Sequence, residues 1–126
     1  MKQHYTEKPL TRLLGDKGED AVYAWLIKNK FTVVARNYQT RQGEVDLIAQ
    51  KGDVIAFIEV KTRNTEYFPL AQTVTYTKQQ RIIKASRHYI FTHQLQDKVF
   101  RFDVATVLIK NQEYSIEYIP NAFGPR

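Results

Sequence analysis

Between Gly43 and Arg63, GEVDLIAQKGDVIAFIEVKTR, the chain carries its clearest pattern. Val45, Leu47 and Ala49 alternate with Glu44, Asp46, Ile48 and Gln50, the period of a β-strand. Gly52-Asp53 supplies a two-residue turn, since glycine reaches positive φ without a Cβ clash. Val54 to Ile58 is then an unbroken apolar run, which predicts a strand buried on both faces, ending in Glu59-Val60-Lys61. Before this hairpin, the spacing predicts a helix from about Asp16 to Lys30 and a strand over Phe31–Tyr38. After it come a polar, aromatic connection from Arg63 to Tyr76 and a second helix from Lys78 to Thr92. Two final strands follow, Lys98–Ile109 and Tyr114–Ile119. The order α-β-β-β-α-β-β predicts one α/β domain with a mixed sheet and excludes a doubly wound fold. Residues 1–14 read as a polar entry, 15–119 as the domain, and 120–126 as a loose tail.

Three charges in the hairpin share one face. Glu59 and Lys61 lie two apart on their strand, and a turn centred on Gly52-Asp53 sets Asp46 opposite Glu59, about 5 Å away at Cβ. Facing carboxylates repel unless a cation or proton separates them. Asp46 and Glu59, with the backbone carbonyl of Val60, form a hard-oxygen set suited to Mg²⁺ or Mn²⁺. Lys61 is placed to hold an attacking water and to offset charge on a pentacovalent phosphate. The blander reading, a salt-bridge cluster on a sheet edge, explains the spacing equally well.

The first helix offers a third acid. Val22, Tyr23 and Leu26 follow Glu19 at helical spacing, so Glu19 shares the apolar face. It reads either as a capping-box partner of Asp16 or as a carboxylate aimed at the sheet. On the second helix, Thr77 with Gln80 reads as a capping box. Ile82, Ile83, Tyr89 and Ile90 form its apolar face, and Gln80, Arg81, Lys84, Arg87 and His88 an acid-free arc suited to phosphates. The aromatics Tyr67 and Phe68 beside Arg63 could stack on bases or fold onto the core.

Composition narrows the class. The chain has 126 residues, 19 Lys and Arg against 13 acids, a net charge of +6, and no cysteine. Disulfides and thiolate metal sites are excluded, and the lack of a leader-like or membrane-spanning run predicts a cytoplasmic protein with no membrane partner. Residues 63–110 carry eight Lys/Arg against three acids, so most of the positive excess follows the hairpin and favours an anionic partner, nucleic acid first. The three histidines lack ligand spacing for zinc. No serine has an evident base partner for covalent catalysis.

A helix carrying Gly18-Glu19-Asp20, then Gly43-Glu-Val-Asp-Leu-Ile-Ala49, then Phe57-Ile-Glu-Val-Lys-Thr-Arg63, resembles the PD-(D/E)xK nuclease superfamily. In particular it is similar to the small Holliday-junction-resolvase-like branch and to the YraN-type bacterial family of uncharacterised endonuclease-like proteins. The similarity runs from Gly15 to Arg101-Phe102-Asp103-Val104; Val45 stands where the superfamily's name has proline, as in the resolvase-like branch. The resemblance implies a restriction-endonuclease-like fold, a mixed central sheet flanked by helices. It implies metal binding by Asp46 and Glu59, catalysis by Lys61, and a site role for Glu19. Resolvase-branch relatives are dimers acting on branched DNA, so a homodimer and branched DNA are the partners it brings to mind. The expectation is a divalent-metal-dependent DNA endonuclease in repair or recombination, with Arg63, Lys78, Gln80, Arg81, Lys84 and Arg87 holding the nucleic acid. The alternative is a nucleic-acid-binding module with a vestigial site.

Overall fold

The computed structural model describes residues 10–63 and 74–125, with side chains from Lys17 onward. It is an α/β sandwich: α1 (Leu10–Lys28), β1 (Thr32–Thr40), β2 (Gly43–Lys51), β3 (Val54–Arg63), α2 (Tyr76–Thr92), β4 (Val99–Lys110) and β5 (Glu113–Phe123). The strands lie in chain order, β1-β2-β3-β4-β5. All neighbours are antiparallel except β3 and β4, which run parallel because α2 carries the chain back between them.

Each face of the sheet has its own core. On one, α1 sets Val22 and Leu26 against Leu47, Ala49, Ala56, Ile58, Ala105 and Val107. On the other, α2 sets Ile82, Ile83, Ala85 and Tyr89 against Ile48, Ile55, Phe57 and Phe102. Ile55 to Ile58 are all buried, so β3 is covered on both sides, as its unbroken apolar run requires.

The central turn is as the sequence predicts. Gly52 takes φ 60, Lys51 pairs with Val54, and the register runs to Leu47 opposite Ile58. The second hairpin turns on Asn111 and Gln112, both at positive φ (52 and 66), the sign pattern of a type I′ turn.

Several boundaries differ. Helix α1 begins by Leu10, so Asp16 lies inside it rather than capping it, and the polar entry gives way to helix before residue 14. The cap of α2 is Thr75, whose hydroxyl accepts the Lys78 N–H; Thr77 falls in the first turn. Both threonines have a polar residue three positions on, and only the extended backbone of Thr75 (φ −69, ψ 161) separates them. Strand β5 continues past Pro120 to Phe123, where a loose tail was expected, because Phe123 pairs with and stacks on Phe102. The aromatic connection around Tyr67 and Phe68 lies outside the described residues.

Two glycines fix how closely the layers meet. A Cβ on Gly18 would lie 1.7 Å from Thr62 Oγ1, and one on Gly43 would lie 2.1 Å from the Arg81 carbonyl oxygen. Gly18 thus lets α1 settle on β3, and Gly43 lets the start of β2 meet the backbone of α2.

Candidate metal and nucleic-acid site

The β2–β3 ladder stops at Leu47–Ile58, one residue short of Asp46 and Glu59. Beyond that point the Asp46 side chain takes over: its Oδ2 accepts the Val60 N–H at 2.8 Å. The alternation of β2 also shifts here. Val45 and Ile48, three apart, both pack in the α2-side core. On β1, between the pairs Arg36–Leu47 and Tyr38–Val45, Asn37 adopts φ 55, a conformation asparagine tolerates better than most residues. Asp46 therefore sits in a local kink, where the β2–β3 ladder gives way to a side-chain contact.

Glu59 is 3% exposed. Burial, and then the charge of Asp46, push its carboxyl up to about 7, against the opposing pull of Lys78 and Lys61. Burial also raises Asp46, outweighing the Val60 N–H that stabilises its charged form. Two ammonium groups approach the same Glu59 oxygen: Lys61 Nζ at 3.6 Å and Lys78 Nζ at 3.5 Å from Oε2. The other oxygen, Oε1, is buried without a hydrogen-bond partner. A buried, unpartnered carboxylate oxygen is costly, and either a proton shared with Asp46 or a bound cation relieves it.

A second buried acid shows the contrast. Asp103 is fully buried on the α1 face, but its oxygens accept from Arg101 Nε at 2.9 Å, Arg101 Nη2 at 3.0 Å, the Asn121 N–H at 2.9 Å and the Tyr118 hydroxyl. The Tyr118 hydroxyl is raised by its own burial and by the adjacent Asp103 charge, and its ring stacks on Trp25 with centroids 4.4 Å apart. Asp103 is complete and holds β4 to β5; Glu59 is not.

Glu19 is not a cap partner of Asp16, which lies inside α1; of the two readings of it, the structure has the one facing the sheet. It pairs with Arg36 of β1, Oε1 to Nε at 3.4 Å, while Arg36 Nη2 reaches Asp20 Oδ1 at 2.6 Å. Among the described residues no group of three or more histidines or acids gathers in a way that could hold a metal ion. Among the described residues, the Asp46–Glu59 pair is the candidate for holding an ion. The pair nevertheless fits a divalent cation, through the unpartnered Oε1 and the raised pKa values of two facing acids.

The nucleic-acid residues divide. Arg81, Lys84 and Arg87 are exposed on the outer face of α2, and Gln80 is half-buried beside them. Arg63 is half-buried at the end of β3, where burial lowers its guanidinium pKa. Lys78 belongs with the acids, a contact that depends on how α2 docks and has no signature in the helix's own period. His88, on the basic arc, meets Tyr38 of β1, Nδ1 to hydroxyl at 2.5 Å, again a tertiary contact with no local signal.

The model of the uncharacterised protein family UPF0102 matches residues 18–107, which span Gly18, the hairpin, α2 and most of β4. The chain belongs to that family. A UPF0102 protein of Alkaliphilus metalliredigens is 42% identical over 115 residues, 90% of this chain and all of the relative. One of Nitrosomonas europaea is 41% identical, covering 86% and 94%. One of Myxococcus xanthus is 35% identical, covering 89% and 90%. The UPF0102 match begins at Gly18, the residue that brings α1 onto Thr62 beside Lys61.

Proposed function

We propose that this UPF0102 protein is a divalent-metal-dependent DNA endonuclease of the cytoplasm that hydrolyses phosphodiesters, with branched DNA from repair or recombination as its substrate class. The observation that carries the reading is the Asp46–Glu59 pair, buried at the kink with Glu59 Oε1 unpartnered and two lysines on Oε2. Around Asp103 both carboxylate oxygens accept hydrogen bonds, whereas Glu59 Oε1 accepts none. No helix among the described residues is long and apolar enough to cross a membrane.

Asp46 and Glu59, with the Val60 carbonyl, would hold Mg²⁺ or Mn²⁺. The ion would lower the pKa of bound water and polarise a phosphoryl oxygen. The chain's own residues do the rest. The Val60 N–H donates to Asp46 Oδ2 and orients that carboxylate. The Lys61 ammonium, on the Glu59 side of β3 and partly open to solvent, donates to the attacking water and offsets charge building on the phosphate. The exposed cations of α2 hold the flanking backbone.

Purified protein assayed with Mg²⁺ and Mn²⁺ on linear, flapped and four-way DNAs tests this. Asp46→Ala and Lys61→Ala should each lower cleavage by about 100-fold or more while DNA binding persists. Equal residual cleavage by parent and variants would assign the activity to a contaminant. Binding without cleavage on every substrate would instead favour a nucleic-acid-binding module with a vestigial site.

A further inference from the structure

We propose that Lys78 is a built-in counter-cation of the carboxylate pair, which a divalent ion displaces from Glu59 and thereby turns toward substrate phosphate. The inference rests on the nuclease reading above and deepens it. Lys78 Nζ lies 3.5 Å from Glu59 Oε2, and Lys61 Nζ shares that oxygen at 3.6 Å. With both acids ionised, above the raised Glu59 value of about 7, two carboxylates and two ammonium groups cancel. A divalent ion between the acids leaves a surplus of two positive charges in a partly buried space. One ammonium must then yield or take an anionic partner.

Lys78 is the one positioned to yield. Its charge acts on both Asp46 and Glu59, and its ammonium lies against Glu59. Its side chain is as exposed as that of Lys61, 35% in each, so a route outward is open to it, and it comes from a helix rather than from the strand that carries Glu59. The first turn of α2 has no acid to recapture it there. Its backbone, by contrast, is fixed: the Thr75 hydroxyl accepts its N–H at 3.1 Å, so only the side chain has to move. Lys78, Arg81, Lys84 and Arg87 recur every third residue, so they form one slanting row on the helix. Lys78 is the inner end of that row. A DNA backbone tracked along the exposed cations reaches the acids at Lys78, and a displaced ammonium extends the row by one phosphate contact. Metal binding and phosphate binding are thus coupled through one side chain.

Removing the competing cation should tighten the ion and weaken the DNA. Calorimetric titration of Mn²⁺ into full-length protein, without DNA, should show Lys78→Met binding on the order of tenfold tighter than wild type. Lys84→Met, which removes a charge from the same helix away from the acids, should leave Mn²⁺ affinity unchanged, and Lys78→Arg should restore the wild-type value. In EDTA, Lys78→Met should lower the unfolding midpoint at pH 8, and saturating Mn²⁺ should recover it. Mn²⁺ should also strengthen DNA binding by wild type more than by Lys78→Met. Unchanged or weaker Mn²⁺ binding in Lys78→Met, with wild type binding normally, would overturn the counter-cation role and leave the nuclease reading standing. Absence of Mn²⁺ binding in wild type and variant alike would overturn both. If Lys78→Met does not fold, Lys78→Gln carries the same comparison.

Discussion

The chemistry proposed for this protein turns on one carboxyl group. Glu59, raised to about 7 from an ordinary value of 4.5, holds a proton in the folded chain over a pH range where the unfolded chain has lost it. Stability therefore falls as pH rises from about 4.5 through about 7, since the folded state binds the extra proton. In EDTA, urea midpoints measured from pH 5 to 8 should decline for wild type and flatten for Glu59→Gln. A decline that survives the substitution would place the titration elsewhere. Divalent ions reverse the sense. They require the ionised pair, so Mn²⁺ affinity should rise with pH through about 7, and binding near pH 6.5 should release protons, seen as buffer-dependent heats. Much of this site was legible in the sequence. Period-2 alternation and a two-residue turn are enough to set Asp46, Glu59 and Lys61 on one side. The kink opposite Asn37 was not legible, because a shift in alternation needs both strands in view. Nor was the Glu19–Arg36 pair, which joins a helix face to a strand with no shared period.

At the scale of elements, the site depends on how closely α2 meets β2. Gly43 stands under the Arg81 carbonyl, and any Cβ there meets backbone at 2.1 Å rather than a side chain that could swing away. Gly43→Ala should therefore push the helix off the sheet, costing about 2–3 kcal/mol in urea unfolding, at the upper end of overpacking penalties. Displacing α2 would also carry Lys78 from Glu59, so on the proposed function the variant should lose cleavage more steeply than its stability loss accounts for. Gly43→Ala with wild-type stability would mean the two elements can part freely. The sequence carries GEVD as a run, but the need for its glycine lies in a helix nearly forty residues on. The element boundaries that differed have the same origin. Thr75 and Thr77 offer equivalent local caps, and β5 runs on to Phe123 because Phe102 is there to receive it.

Across the whole molecule, sequence order alone carries most of the topology. Three strands joined by short turns pair antiparallel, and the α2 crossover between β3 and β4 returns the chain in the same direction, giving the parallel pair. What sequence order does not give is which surface the excess charge occupies. Folding leaves Arg81, Lys84 and Arg87 exposed on α2 and puts Lys78 at the acids, and the proposed DNA path runs along these cations to the site. Such a track is read by salt. Each cation that neutralises a phosphate adds about 0.9 to the slope of log affinity against log salt. Replacing Arg81, Lys84 and Arg87 by alanine together should weaken binding to a four-way DNA and reduce that slope by about 2–3. The thermal midpoint should change little, because all three side chains are exposed. Fluorescence anisotropy from 50 to 300 mM salt measures the slope. An unchanged slope would mean that DNA approaches the acids over another face, and the path from α2 to Glu59 would have to be abandoned.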